Sequence, residues 1–230
     1  FPSIPIDSID RIEVFKGSAA SVLYGEGAIG GSINIITNSN LDNKDQNEIV
    51  YKYGTYNRKE IIWNNSQKLN QYKINTYFNH YETDGYRDQN EQQQNNITSS
   101  ITLPGKKGDK FISINFSEQI MSTPSDRSQD QLYSDRRGSD TPDDYINSDG
   151  ASFLYSANHS LNEKSTFILN SSFRAKNSYS DLQSTSYPSY NKTTLINYQI
   201  TPRIINNSKI SNKKINSTYG LDLQYGDYKS

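Results

Sequence analysis

The stretch that decides the fold is "IPIDSIDRIEVFKGSAASVLYGEGAIGGSINIIT", residues Ile4–Thr37. Apolar and polar residues alternate over Ile9–Phe15, which predicts a strand, and Ser32–Thr37 predicts a second strand. Between them, Ser18–Tyr24 has the composition of a short helix, and the glycine-rich run Gly25–Gly31 follows it. The predicted order is therefore strand, helix, glycines and strand.

The glycine-rich run also matches the spacing of a dinucleotide-binding loop. It contains Gly25-x-Gly27-x-x-Gly30, and Asp42 and Asp45 follow at the distance of a ribose-binding carboxylate. Such a loop needs a strand before the glycines and a helix N-terminus after them, where the pyrophosphate binds. Here the flanking elements are reversed, so the glycines are better explained as positions of tight backbone turns.

Composition excludes several classes of protein. With a mean hydropathy of -0.87 and 32% hydrophobic residues, the 230-residue chain is polar for a single soluble domain. Its 18 tyrosines disfavour disorder, and a net charge of -1 provides no basic surface for nucleic acid. The absence of cysteine excludes a disulfide scaffold and a thiolate metal site, and no apolar run is long enough for a membrane helix.

The composition changes at 38–47, which reads as a linker rich in Asn and Asp. Beyond it, segments of about ten residues alternate with a period of two. In "KFISINF", Ile112, Ile114 and Phe116 share one face and the polar residues share the other. The same pattern recurs in "NITSSITL", "ASFLYSAN", "TFILNSSF", "LINYQI" and "KKINSTYGLDLQY". Each segment is therefore predicted to be a strand with one apolar and one polar face.

The connections between these segments indicate which kind of β-protein they form, because a soluble sandwich shows the same alternation. Short links alternate with long ones at 82–94, 121–149 and 178–191. Tight turns on one side and long loops on the other are typical of a transmembrane barrel, here with about nine strands. The short first connection, near 56–58, departs from this pattern. Tyrosines towards segment ends suit the aromatic girdles of such a barrel: Tyr51, Tyr53, Tyr72, Tyr81, Tyr155, Tyr198, Tyr219 and Tyr225.

Residues Ile4–Thr37 resemble the closing part of the plug domain of TonB-dependent outer-membrane receptors. The matching pieces are Ile9, Arg11–Val14, Lys16–Gly17, Tyr24–Gly25, Ala28, Gly30–Gly31 and Ile33–Thr37. Lys16 and Ser18 stand where the family usually has Arg and Pro. "TDGYRD", Thr83–Asp88, also resembles the first long outer loop of the vitamin B12 and siderophore receptors.

This resemblance implies a mainly β fold, in which the C-terminal part of an α/β plug (1–37) and a linker (38–47) precede part of an antiparallel transmembrane β-barrel (48–230). It implies energised uptake of a scarce nutrient, an iron chelate or a cobalamin, across the outer membrane of a Gram-negative bacterium. TonB and outer-membrane lipid are the implied partners. A plugged barrel has about 22 strands, so we expect the remaining strands, the first half of the plug and the TonB-contacting segment outside this chain.

Other classes remain open at this point. An outer-membrane adhesin or a passive porin has a barrel but lacks a plug. A soluble β-rich carbohydrate-binding domain or enzyme is a third possibility, although no nucleophile, base and orienting group occur together, so we do not expect an enzyme. His80 and His159 are lone strand residues and are predicted to be structural.

The plug resemblance gives roles to several residues. Its charged residues are predicted either to pair with the barrel wall or to be solvated by lumen water: Arg11, Glu13 and Lys16. Its glycines are predicted to permit sharp backbone turns: Gly25, Gly27, Gly30 and Gly31.

Ligand contacts are expected in the outer loops, which concentrate acidic residues: Asp84, Asp88, Asp126, Asp130, Asp135, Asp140, Asp143, Asp144 and Asp149. Oxygen clusters suit calcium, and the likeness to the vitamin B12 receptors implies calcium-ordered loops, although no calcium-loop motif is present. The arginines of the same region are predicted to clamp an anionic ferric siderophore or to neutralise the aspartates: Arg127, Arg136 and Arg137.

Overall fold

The computed structural model describes residues 9–17, 31–37, 45–183, 188–210 and 213–230. The chain divides into two compact units, 1–43 and 44–230, and this boundary lies inside the predicted linker. The predicted helix at 18–24 and the plug glycines Gly25, Gly27 and Gly30 lie outside the described residues. Across the part of the chain that is described, no helix has the length and apolar character needed to span a membrane.

The first unit contains an antiparallel hairpin of two strands, β1 (Ile9–Lys16) and β2 (Gly31–Thr37), as the sequence predicted. Lys16 pairs with Gly31 at the start of β2. Gly31 has a φ of 135°, and a Cβ there would collide with the carbonyl oxygen of Phe15. A side chain is therefore excluded at this position, and the role of Gly31 as a turn glycine of the plug stays a prediction.

The second unit is one antiparallel sheet in which each strand from β3 to β11 pairs with the next along the chain, and β12 pairs with β10. The strands are β3 (Gln46–Tyr53), β4 (Lys59–Leu69), β5 (Tyr72–Thr83), β6 (Gln92–Leu103), β7 (Lys110–Ser122), β8 (Tyr145–Ser160), β9 (Ser165–Leu182), β10 (Ser189–Ile210), β11 (Lys213–Gly220) and β12 (Leu223–Lys229). A short helix, α1 (Gln129–Ser134), lies between β7 and β8. The predicted strands are confirmed.

The last two strands form a single interrupted strand, because β11 and β12 both pair with β10. The interruption at Leu221 and Asp222 lies opposite Thr201 and Pro202. Proline has no N–H to donate to a ladder, and the N–H of Leu221 instead donates to the Pro202 carbonyl over 3.1 Å. The ten described strands of this sheet therefore correspond to the predicted nine.

The connections define a turn end and a loop end of the sheet. The turn end carries the links at 70–71, 104–109 and 161–164, and the loop end carries 54–58, 84–91 and 123–144. The strands run further than predicted, so the long loops are shorter than 82–94, 121–149 and 178–191; the third runs only from Leu182 to Ser189. Backbone pairing does not depend on side-chain polarity, and the polar residues that suggested loops continue the ladder instead.

The two faces of the sheet have opposite chemistry. On the apolar face, Phe116 is paired with Ile97 and is 55% exposed. On the polar face, Asn79 is paired with Asn96, and both are buried. Soluble proteins show the reverse distribution, so this sheet is built for surroundings that are apolar on one side. Tyr81 shares the polar face with Asn79, so its assignment to an aromatic girdle was wrong.

Candidate functional site at the loop end of the sheet

Three connections at the loop end join into one unit, called here the loop cluster: 54–58, 84–91 and 123–144. The N–H of Asp84 donates to the Tyr56 carbonyl over 2.9 Å, and the N–H of Asp88 donates to the Arg137 carbonyl over 2.8 Å. The Arg87 guanidinium donates to the Gly138 carbonyl over 2.9 Å. Segments far apart in sequence are therefore brought together above the strands.

A buried arginine organises the longest loop. The Arg127 side chain is only 5% exposed, and its two terminal nitrogens lie 2.9 Å from Asp135 Oδ2 and 2.9 Å from Asp140 Oδ1. Asp135 also accepts the Gly138 N–H through Oδ1. Charge-assisted hydrogen bonds of this kind are about twice as strong as neutral ones. The loop arginines were predicted either to clamp an anionic siderophore or to neutralise aspartates. Arg127 neutralises Asp135 and Asp140.

Helix α1 supports the same arrangement from within the loop. Ser128 caps the helix by accepting from the Gln131 N–H, and the Gln131 side chain accepts from the Ser128 N–H. Gln131 also donates to Asp140 Oδ2 over 2.8 Å. This helix was not predicted from the sequence, although Ser128 followed three residues later by Gln131 is the signature of a capping box.

An exposed arginine is held above two tyrosine rings in the loop cluster. The guanidinium of Arg137 lies 5.8 Å from the ring centroid of Tyr56 and 5.8 Å from that of Tyr86. The two rings meet edge to face with centroids 5.6 Å apart. Cation–π contacts restrict the guanidinium without neutralising it, so this site presents a positive charge in a fixed position. No local sequence pattern predicted this contact, because the approach of the two tyrosines depends on the assembly of distant strands.

The remaining predicted loop residues do not converge. Asp126, Asp130, Asp143 and Arg136 are exposed, Asp144 is buried, and Asp149 lies within β8. Within the described ranges, no three His, Asp or Glu side chains are grouped as metal ligands, and Arg127 already holds Asp135 and Asp140. The described arrangement does not fit a calcium cage, which needs six to eight oxygen ligands.

The predicted charged residues of the first unit include one ion pair. Arg11 Nε lies 2.9 Å from Glu13 Oε1, on the same face of β1. Contacts of Arg11, Glu13 and Lys16 with a barrel wall stay a prediction. His80 on β5 hydrogen-bonds Asn95 Oδ1 through Nδ1 over 2.7 Å and lies 3.6 Å from Glu82, as a structural residue would.

A known family model matches the first unit of the chain, and known structures match the fold of almost the whole chain. Residues 1–32 match the family model of the TonB-dependent Receptor Plug Domain. The open form of the ferric-catecholate import receptor Fiu from E. coli K12 superposes with a TM-score of 0.76 at 14% identity, over 96% of this chain and 40% of that one.

Two further solved structures share this fold. The siderophore receptor PiuA from Acinetobacter baumannii has a TM-score of 0.74 at 16% identity, over 96% of this chain and 36% of that one. The pyoverdine receptor FpvA from Pseudomonas aeruginosa PAO1, bound to pyoverdine, has a TM-score of 0.81 at 10% identity, over 96% and 35%. The chain thus spans well under half the length of each. Residues 1–32 thus match the plug-domain family, and the chain as a whole shares the fold of these receptors.

Proposed function

We propose that the chain is part of an outer-membrane receptor for energised uptake of a ferric chelate in a Gram-negative bacterium. One observation carries the proposal: a segment that matches the plug domain is followed along the chain by an antiparallel sheet with an exposed apolar face. The apolar face contacts hydrocarbon and the polar face lines the lumen. TonB supplies the energy, and Arg11, Glu13 and Lys16 are proposed to meet lumen residues.

Two observations favour a ferric chelate over a cobalamin. The three similar structures are named as a ferric-catecholate import receptor, a siderophore receptor and a pyoverdine receptor. The fixed and exposed guanidinium of Arg137, above the rings of Tyr56 and Tyr86, also suits an anionic chelate that carries aromatic groups.

Uptake by a deletion strain tests this function. Cells lacking the full-length receptor should lose accumulation of one radiolabelled ferric chelate from a panel of catecholate, hydroxamate and citrate types, and keep cobalamin uptake. Uptake by the restored strain should stop when TonB is removed, since only an energised receptor needs it. Uptake that continues without TonB would instead indicate a passive porin, and loss of cobalamin uptake alone would overturn the proposed ligand class.

A further inference from the structure

Two basic side chains share one carboxylate on the polar face of the sheet, where the connection 54–58 meets β4. Lys52 Nζ and Arg58 Nη2 each lie 3.4 Å from Glu60 Oε2. The other carboxylate oxygen, Glu60 Oε1, accepts from Asn79 Nδ2 over 3.2 Å. Two cations therefore meet a single anion, which leaves an excess of one positive charge at this place.

The contacts of these two cations are much looser than those of Arg127, the arginine that organises the longest loop. Arg127 lies 2.9 Å from each of two carboxylates and its side chain is 5% exposed, whereas the Arg58 side chain is 50% exposed. The Lys52 side chain is 51% exposed. A separation of 3.4 Å exceeds the usual N–H···O range of about 2.7–3.2 Å, and exposed ion pairs of this kind stabilise little. Lys52 and Arg58 are therefore available to another anion.

An aromatic ring restricts the Arg58 guanidinium. Its central carbon lies 5.5 Å from the ring centroid of Tyr81, which is on the polar face of β5. A cation–π contact limits the movement of a guanidinium and leaves its charge unneutralised. Arg137 lies over Tyr56 in the same manner, and Tyr56 is only two residues before Arg58 in the chain. One connection thus carries a fixed positive charge in the loop cluster and a second one on the polar face.

We propose that Lys52 and Arg58 form a second anion site, and that Glu60 competes with the bound anion and keeps the site weak. An anion that contacts both cations has to displace the Glu60 carboxylate, so it dissociates quickly. The anion is the ferric chelate that Arg137 receives first, and fast dissociation lets it move on into the lumen. This inference rests on the proposed uptake function and adds to it a step between capture at the loop cluster and passage.

Binding of inorganic pyrophosphate to the full-length receptor, followed by phosphorus NMR, tests the site directly. The receptor is held in uncharged detergent, and Arg137→Gln is present throughout so that the loop cluster contributes little. Glu60→Gln should bind pyrophosphate roughly fivefold more tightly, because the competing carboxylate is gone, and Arg58→Gln should bind it roughly fivefold more weakly. An unchanged affinity in either variant would overturn the proposal.

Matched variants separate this site from a general change of charge. Glu48 is an exposed carboxylate on the same face of β3, four residues before Lys52 and so about 13 Å away along the strand. In about 0.1 M salt, which screens charges more than about 10 Å apart, Glu48→Gln should leave the affinity for pyrophosphate unchanged. Arg58→Lys keeps the positive charge and should retain most of the binding that Arg58→Gln loses. Equal tightening by Glu48→Gln and Glu60→Gln would mean that only the overall charge matters, against the proposal.

Uptake kinetics connect the site to transport. The probe is whichever ferric chelate of the catecholate, hydroxamate and citrate panel the unmodified receptor takes up. Cells that carry Glu60→Gln should show a lower KM and a lower maximal rate, each by roughly threefold, because the chelate is held longer. A lower KM with an unchanged maximal rate would contradict the role of Glu60 in release. Failure of the proposed function is seen separately, as an unmodified receptor that takes up none of the three chelates, whatever the pyrophosphate result.

Discussion

At the residue scale, the loop cluster depends on two arginines with different surroundings. The Arg127 side chain is buried and paired with two carboxylates, whereas the guanidinium of Arg137 is exposed and lies over two aromatic rings. A paired guanidinium has its charge satisfied and serves the structure, whereas an unneutralised one is available to an anion. The same residue type therefore supports the loop at one position and is proposed to face the ligand at the other.

We expect Arg127→Gln to loosen the loop at 123–144 without unfolding the sheet. The variant loses two charge-assisted hydrogen bonds, together about 1–2 kcal/mol after allowance for the exposure of both carboxylates. Cleavage within the loop by a protease should then be roughly tenfold faster, measured by mass spectrometry on the receptor in vesicles. Arg136→Gln is the control, because Arg136 is exposed. Equal cleavage rates in the two variants would show that Arg127 does not hold the loop.

At the scale of elements, strand β7 shows how alternation fixes orientation. Outward positions on this strand run from Lys110 through three apolar residues to Glu118, with Ile114 in the middle. Its neighbours in sequence lie on the polar face, where Asn115 is buried and donates to Thr98 Oγ1 over 2.8 Å. A shift of the strand register by one residue would therefore move each side chain from the apolar face, with its proposed hydrocarbon contacts, to the hydrogen-bonded polar face.

Ile114→Arg should destabilise the receptor far more than Ser113→Arg on the opposite face of the same strand. Arginine on the lipid face near the bilayer midplane costs about 2–4 kcal/mol, whereas lumen positions tolerate charge. Reversible denaturant unfolding in phospholipid vesicles should show this loss as a lower free energy of unfolding for Ile114→Arg. A comparable loss for both variants would mean that the two faces have been assigned wrongly.

The sequence was sufficient for the strands and their faces but not for the loop cluster. Alternation is local, so "KFISINF" and "TFILNSSF" already separate the residues of one face from those of the other. The contacts of Arg137 with Tyr56 and Tyr86 arise only when the strands from β3 to β8 are assembled in one sheet, which no local pattern specifies. The strands were also predicted to end too early, because backbone pairing continues through the polar residues that suggested loops.

At the scale of the whole molecule, the chain's single tryptophan provides a test of the proposed membrane setting. Trp63 lies on the apolar face, paired with Ile49 and Phe78, and its indole N–H donates to Asn47 Oδ1 over 2.8 Å. An indole there contacts acyl chains if the sheet is part of a membrane barrel.

Trp63 fluorescence should therefore be quenched by phospholipids brominated on the acyl chains and be insensitive to iodide in water. The experiment uses the full-length receptor in vesicles, with any tryptophans outside this chain replaced by phenylalanine. Strong quenching by iodide, with none by the brominated lipids, would show that the apolar face lies in water or against protein.

The reversed chemistry of the two faces has a consequence for how the chain reaches its folded state. Among the described residues, only Ile62 and Tyr77 are buried apolar side chains, so collapse in water has almost no interior to form. If the sheet is part of a membrane barrel, the free energy that favours folding comes from the bilayer, and lipid is then a component of the folding reaction. In that setting we expect the chain to have no stable compact form in water before insertion, because its aromatic side chains lack an interior to fill.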